Sequence, residues 1–190
     1  MRIAYTIEND RIELETLEID KASEFVRVYN NCLPVISFFH MKGRIEDTTQ
    51  SIFSAAPGKG IILSVQLLRQ NSSFEFQSSH GLNINFSPSI ESIQMMLTGI
   101  AFRHIYETPG IINRFDVFIP AGKINELFSK GMLDQLQQKK ILNLNTAPHN
   151  FLGRVNDSLS QVLNELEKPV SKSLCTHIEN FIQSVTMQAN

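Results

Sequence analysis

The stretch Arg114-Phe115-Asp116-Val117-Phe118-Ile119-Pro120-Ala121-Gly122-Lys123-Ile124-Asn125-Glu126-Leu127-Phe128 holds the chain's change of rhythm. Up to Ile119 polarity alternates residue by residue, the pattern of a strand with one face buried. Beyond Pro120 the apolar positions Ile124, Leu127 and Phe128 fall on one helical face, and Met132, Leu133 and Leu136 repeat that spacing after Gly131. The spacing predicts strand before residue 120 and helices after it.

Upstream, short segments rich in Ile, Val, Phe and Thr stop at Gly, Pro, Asn or Ser, which predicts strands over residues 11–19, 34–46, 59–69 and 73–77. Leu82, Ile84 and Phe86 alternate with Asn83 and Asn85 in the same way. Residues 92–107 suit either one helix or two strands, and the reading favoured is a hairpin turning at Gly99. Downstream, residues 141–150 form an Asn-rich connector, with Pro148 placed to open a helix. Val155, Leu159, Val162, Leu163 and Leu166 then make one apolar stripe, and Leu174, Ile178, Phe181, Ile182 and Val185 make another after Pro169. No internal repeat and no low-complexity tract is visible. The expected class is α+β: a mainly antiparallel barrel or sandwich over residues 1–119, with a helical segment over 120–190 packed on it as one unit. The helical stripes exceed what one barrel is expected to cover. Val155, Leu159, Val162, Leu166, Leu174, Ile178, Phe181 and Val185 are therefore expected to pair two copies of the chain.

Composition narrows the function. With 42% hydrophobic and 19% charged residues in 190, the chain can build a core and differs from a disordered segment. Seventeen Lys and Arg against 19 Asp and Glu leave no basic field to draw it to nucleic acid or anionic lipid. No apolar run is long enough to span a bilayer, because Ser64, Gln66 and Arg69 interrupt the longest, so no membrane partner is expected. The acidic N-terminus does not read as a signal peptide. Cys32 and Cys175 are far apart in sequence and outside any C-x-x-C pair, so they are read as thiols in a reducing cytoplasm.

Chemical motifs are scarce. His40, His80, His104, His149 and His177 form no close ligand pair, so neither metal nor cofactor is expected. G-x-S-x-G is absent, and APGKGI over residues 56–61 lacks phosphate-loop spacing and reads as a turn. No catalytic residue is assigned and the chain is not expected to be an enzyme. In FFHMKG, alternation puts Phe38 and His40 on one face and Phe39 and Met41 on the other. If the first face points inward, Phe38 and His40 line a small-molecule pocket, to which His104 and Tyr106 are the other candidates. Residues 151–187 are a poor DNA reader: Arg154, Lys168 and Lys172 are outweighed by Asp157, Glu165, Glu167 and Glu179.

FFHMKG on a strand, RFDVFIPAGKINELF running from strand to helix, the Asn-rich connector and NFLGRVNDSLSQVLNEL together resemble the N-terminal regulatory domain of AraC-type transcriptional regulators, over residues 34–188. The resemblance implies a cupin-like barrel that senses a small effector, helices that form a homodimer, and DNA contact only through a separate domain expected to be missing from this chain. An effector would shift the population between two arrangements of the pair. The rival reading is a small cupin-fold enzyme, an isomerase or a metal-dependent oxygenase.

Overall fold

The computed structural model describes residues 2–9, 11–18, 25–33, 36–45, 49–55, 60–66, 72–77, 92–97, 101–106, 110–139, 141–144, 149–166, 168 and 171–186. Ten strands come first: β1 (Arg2–Glu8), β2 (Arg11–Glu18), β3 (Phe25–Leu33), β4 (Ile36–Ile45), β5 (Thr49–Ala55), β6 (Gly60–Gln66), β7 (Ser72–Gln77), β8 (Ser92–Leu97), β9 (Ala101–Tyr106) and β10 (Gly110–Pro120). Helices α1 (Ala121–Leu127) and α2 (Lys130–Lys139), the short strand β11 (Ile141–Asn143), and helices α3 (His149–Leu166) and α4 (Lys172–Thr186) complete the order. Residues 82–86, Gly99 and Pro148, singled out above, lie outside the described residues.

The strands form two sheets. One runs β2-β1-β5-β9-β7 and the other β11-β8-β6-β10-β4-β3; the pairings are antiparallel except β1 with β5. Asn9 turns β1 into β2 with φ of 48°, a left-handed conformation that Asn tolerates in a tight hairpin. β2 contacts β3 and β4 of the second sheet. The hairpin expected over residues 92–107 is corrected. β8 pairs with β6 and β11, whereas β9 pairs with β5 and β7, so the two strands belong to different sheets. Strand propensity was legible there; the partner, set by distant segments, was not. The connector also gains a strand, β11, on the edge of the second sheet.

The register of the second sheet aligns Phe38, Val117, Leu63, Met95 and Leu142 in one row across five strands. This face and the helices share a single apolar cluster with Phe128, Met132, Leu136, Leu159, Val162, Leu166, Leu174, Ile178, Phe181, Ile182 and Val185. Phe115 and Phe181 meet edge to face, with centroids 5.6 Å apart. Ser129 caps α2 and Ser171 caps α4 through their hydroxyl groups, and the hydroxyls of Ser158 and Ser184 lie 2.8 Å apart across the α3–α4 pair.

That packing corrects the expected pairing surface. Leu159, Val162, Leu166, Leu174, Ile178, Phe181 and Val185 are buried within a single chain, so they do not face a second copy. The side chain of Val155 lies outside the described residues. A helix pair packed on a six-stranded sheet has its apolar faces covered by sheet and by partner helix together, so both stripes are hidden within one chain.

The cysteine reading is corrected as well. Cys175, near the start of α4, is disulfide-bonded. The side chain of Cys32, on β3, lies outside the described residues. Disulfides are rare in a reducing cytoplasm, so the cytoplasmic expectation loses the support it drew from these cysteines. Among the described residues, no helix is long and apolar enough to cross a membrane.

Candidate functional site

The opposite face of the second sheet is the one that carries charge. Strand alternation puts Arg114, Asp116 and Phe118 there on β10, Ile62 and Ser64 on β6, and Ser37, Phe39 and Met41 on β4, all buried. Arg114 and Asp116 are both 0% exposed. Because residues two apart on a strand share a face, the guanidinium lies over the carboxylate: Nε donates to Oδ1 at 2.9 Å and Nη2 to Oδ2 at 2.7 Å. From the neighbouring strand, Ser64 Oγ donates to Asp116 Oδ1 at 2.5 Å. The register continues this row from Ser64 to Gln94 on β8 and Asn143 on β11.

Burying two charges costs several kcal/mol each, a penalty that pairing and hydrogen bonds such as these offset at least in part. The surroundings are apolar, with Phe39, Met41, Ile62, Met96 and Phe118 on the same face. The group thus offers donor and acceptor chemistry within an apolar layer and carries no net charge. That combination suits orientation of a small molecule bearing both apolar surface and hydrogen-bonding groups.

The residues expected at the pocket are not gathered here. Phe38 and His40 take the opposite orientation: Phe38 belongs to the cluster under the helices, and His40 pairs in register with Phe115 on that same side. His40 Nε2 donates to Asn113 Oδ1 at 2.9 Å. The expectation that Phe38 and His40 line an inner pocket is therefore corrected. Alternation separated the two faces of FFHMKG correctly but cannot say which one the helices cover. His104 and Tyr106 sit on β9 in the other sheet, and their side chains lie outside the described residues, as do His80 and residues 56–59 of APGKGI. Among the described residues, no three His, Cys, Asp or Glu side chains are grouped to hold a metal ion.

Arg114, Asp116 and Ser64 were missed. Their signal was present: two opposite charges at i and i+2 in RFDVFI, on one face of an otherwise apolar strand, and a serine inside the apolar run GIILSV. An exposed strand face gives the same signal, and only burial distinguishes the two.

No protein-family profile matches the chain, and no curated protein matches it. Among solved structures it is similar to ToxT from Vibrio cholerae, an AraC-type regulator, bound to (E)-4-(8-methylnaphthalen-1-yl)but-3-enoic acid. Identity is 16%, the TM-score 0.46, and the match covers 78% of this chain and 56% of that one. It is also similar to oxalate decarboxylase of Bacillus subtilis, a protein with Mn(II) centres, at 12% identity and a TM-score of 0.40, over 57% of this chain and 28% of that one. Vicilin from hazelnut, Corylus avellana, matches at 10% identity and a TM-score of 0.37, over 53% and 30%. The chain spans from under a third to a little over half of these proteins' lengths. A regulator and an enzyme both stand among them, so they do not choose between sensing and catalysis.

Proposed function

We propose that the two sheets face each other as a cupin-like vessel and that the Arg114–Asp116–Ser64 group, on the sheet face turned away from the helices, orients a small effector. In this reading the chain is the regulatory sensor domain of an AraC-type regulator and performs no catalysis. DNA contact falls to a domain other than these 190 residues. Pairing of two copies belongs to the proposal too, through a surface other than the apolar stripes of α3 and α4.

The observation that carries it is the complete burial of an ion pair on a sheet face otherwise lined by apolar side chains. Hydrophobic residues of similar volume would stabilise such a layer as well or better, so retention of the pair points to recognition. The sequence resemblance supplies the regulatory context. β10, which carries the pair, also leads directly into α1 and presents Phe115 to Phe181, so one strand touches both the candidate site and the helices.

The test is a thermal-shift screen of the chain against small metabolites, followed by calorimetry. A ligand at 100 times its Kd adds about 2.7 kcal/mol of stability, a shift easily read. A ligand of this site should bind about tenfold or more weakly to Ser64→Ala, which removes one hydrogen bond to a charged partner. Absence of any stabilising compound, or a ligand indifferent to Ser64→Ala, argues against the site. Turnover of a bound compound would favour the enzyme reading.

A further inference from the structure

Arg114 and Asp116 sit in the sheet layer as a neutral unit, joined by the hydrogen bonds between guanidinium and carboxylate, and Ser64 Oγ adds its own bond to Asp116 Oδ1. Around them stand Phe39, Met41, Ile62 and Phe118, all buried, so a ligand reaches the pair only by parting apolar side chains. The pair is the fixed point of that layer. Separating two buried opposite charges costs far more than re-seating a flexible side chain such as that of Met41.

Charge is the first selector. A carboxylate that claimed Arg114 would strand Asp116, and an ammonium group that claimed Asp116 would strand Arg114; either leaves one net charge in an apolar layer without a counter-ion. Hydrogen-bond polarity is the second selector. The single hydroxyl hydrogen of Ser64 is committed to Asp116, so toward a ligand Ser64 Oγ can only accept. The ligand group that meets it must donate. We propose that the site selects an uncharged ligand, an apolar body ending in a hydroxyl or primary carboxamide whose hydrogen goes to Ser64 Oγ. This rests on the effector reading above and narrows it to a chemical class. Carboxylates and ammonium compounds of the same body are rejected by their charge, and esters by their lack of a donor.

The experiment is a titration of the whole chain, followed by NMR at neutral pH, with probes matched on one apolar body: cyclohexanecarboxamide, cyclohexylmethanol, methyl cyclohexanecarboxylate, cyclohexanecarboxylate and cyclohexylmethylamine. Hexyl counterparts vary the body. The amide or the alcohol should bind about tenfold or more tighter than the ester, and tighter than either ion. That advantage over the ester should vanish in Ser64→Ala and persist in Ser64→Thr, which keeps the hydroxyl; the wild-type series alone decides if Ser64→Ala fails to fold. An ion that binds as tightly as the amide, and weakens in Ser64→Ala, overturns the selection of uncharged ligands and leaves the site standing. Equal affinities for amide, alcohol and ester overturn the donor requirement and the proposal with it. An amide or alcohol indifferent to Ser64→Ala, or no binding by any probe, overturns the site reading itself and with it the proposal.

Discussion

Arg114 Nη2 stands 2.7 Å from Asp116 Oδ2, and neither side chain reaches solvent. Removing one partner leaves the other charge buried without its main counter-ion, which typically costs about 3–5 kcal/mol, a large part of an ordinary domain's stability. Arg114→Met and Asp116→Leu are each expected to lose that much in urea denaturation. The double variant should recover most of it, because replacing both members of a buried pair by apolar residues is often neutral. Equal, additive losses would mean that the two side chains do not act as a pair.

Gly60 is fixed by close approach. A Cβ there would stand 2.5 Å from Phe118 Cε2 and closer still to the backbone carbonyl oxygen of Ile119, the strand paired alongside. The ring could turn aside, but the carbonyl is held in the β6–β10 ladder. Gly60→Ala is therefore expected to destabilise by about 1–3 kcal/mol, in the manner of an overpacked core, although alanine is the milder residue for backbone entropy. Gly122→Ala and Gly131→Ala have open space around the added carbon and serve as controls that should not destabilise. Chemical denaturation of the three variants checks the contrast.

What the sequence disclosed, and what it hid, divides along one physical line. Period and propensity are local, so the strand in RFDVFI, the break at Pro120 and the helical stripes of α3 and α4 could be read directly. Partners are nonlocal. Which face of FFHMKG the helices cover, which strands flank β8 and β9, and that Cys175 is disulfide-bonded all depend on tertiary packing. The candidate site fell on the hidden side of that line, since Arg114 and Asp116 look like ordinary surface charges until both faces of their sheet are found buried.

The corrected role of the helical stripes changes what charge insertion does. Ile178 is wholly buried against the sheet, and Leu159 is nearly so. A glutamate at either position must be desolvated in the core or force the helix off the sheet. Ile178→Glu is expected to abolish the cooperative thermal transition, and Leu159→Glu to lower it strongly. Phe181→Ala should cost about 3–5 kcal/mol through the cavity left beside Phe115. Had these residues formed a subunit interface, the glutamate variants would sediment as monomers that melt normally. Calorimetry with sedimentation separates the two outcomes.

At the junction of α3 and α4, Lys168 Nζ donates to Glu165 Oε1 at 2.8 Å and Ser173 Oγ donates to Oε2 at 3.2 Å. The hydrogen bond from Lys168 is the main reason the Glu165 carboxyl titrates below its ordinary value; Ser173 and the charges of Lys168 and His177 add to it, and partial desolvation opposes it. A carboxyl lowered on folding stabilises the folded state fully above its unfolded pKa, and that stabilisation is lost as pH falls through the lowered folded value. Stability of the wild type should therefore decline on acidification more than that of Glu165→Gln, with the difference confined to the carboxylate range. The carboxylate is partly exposed and its partner Lys168 is exposed, so the effect is small and should shrink further in molar salt, where the screening length falls to about 3 Å. Thermal melts of the two proteins across that pH range, at low and high salt, check both the sign and the screening; a gap that widens toward neutral pH and closes in salt is the expected result.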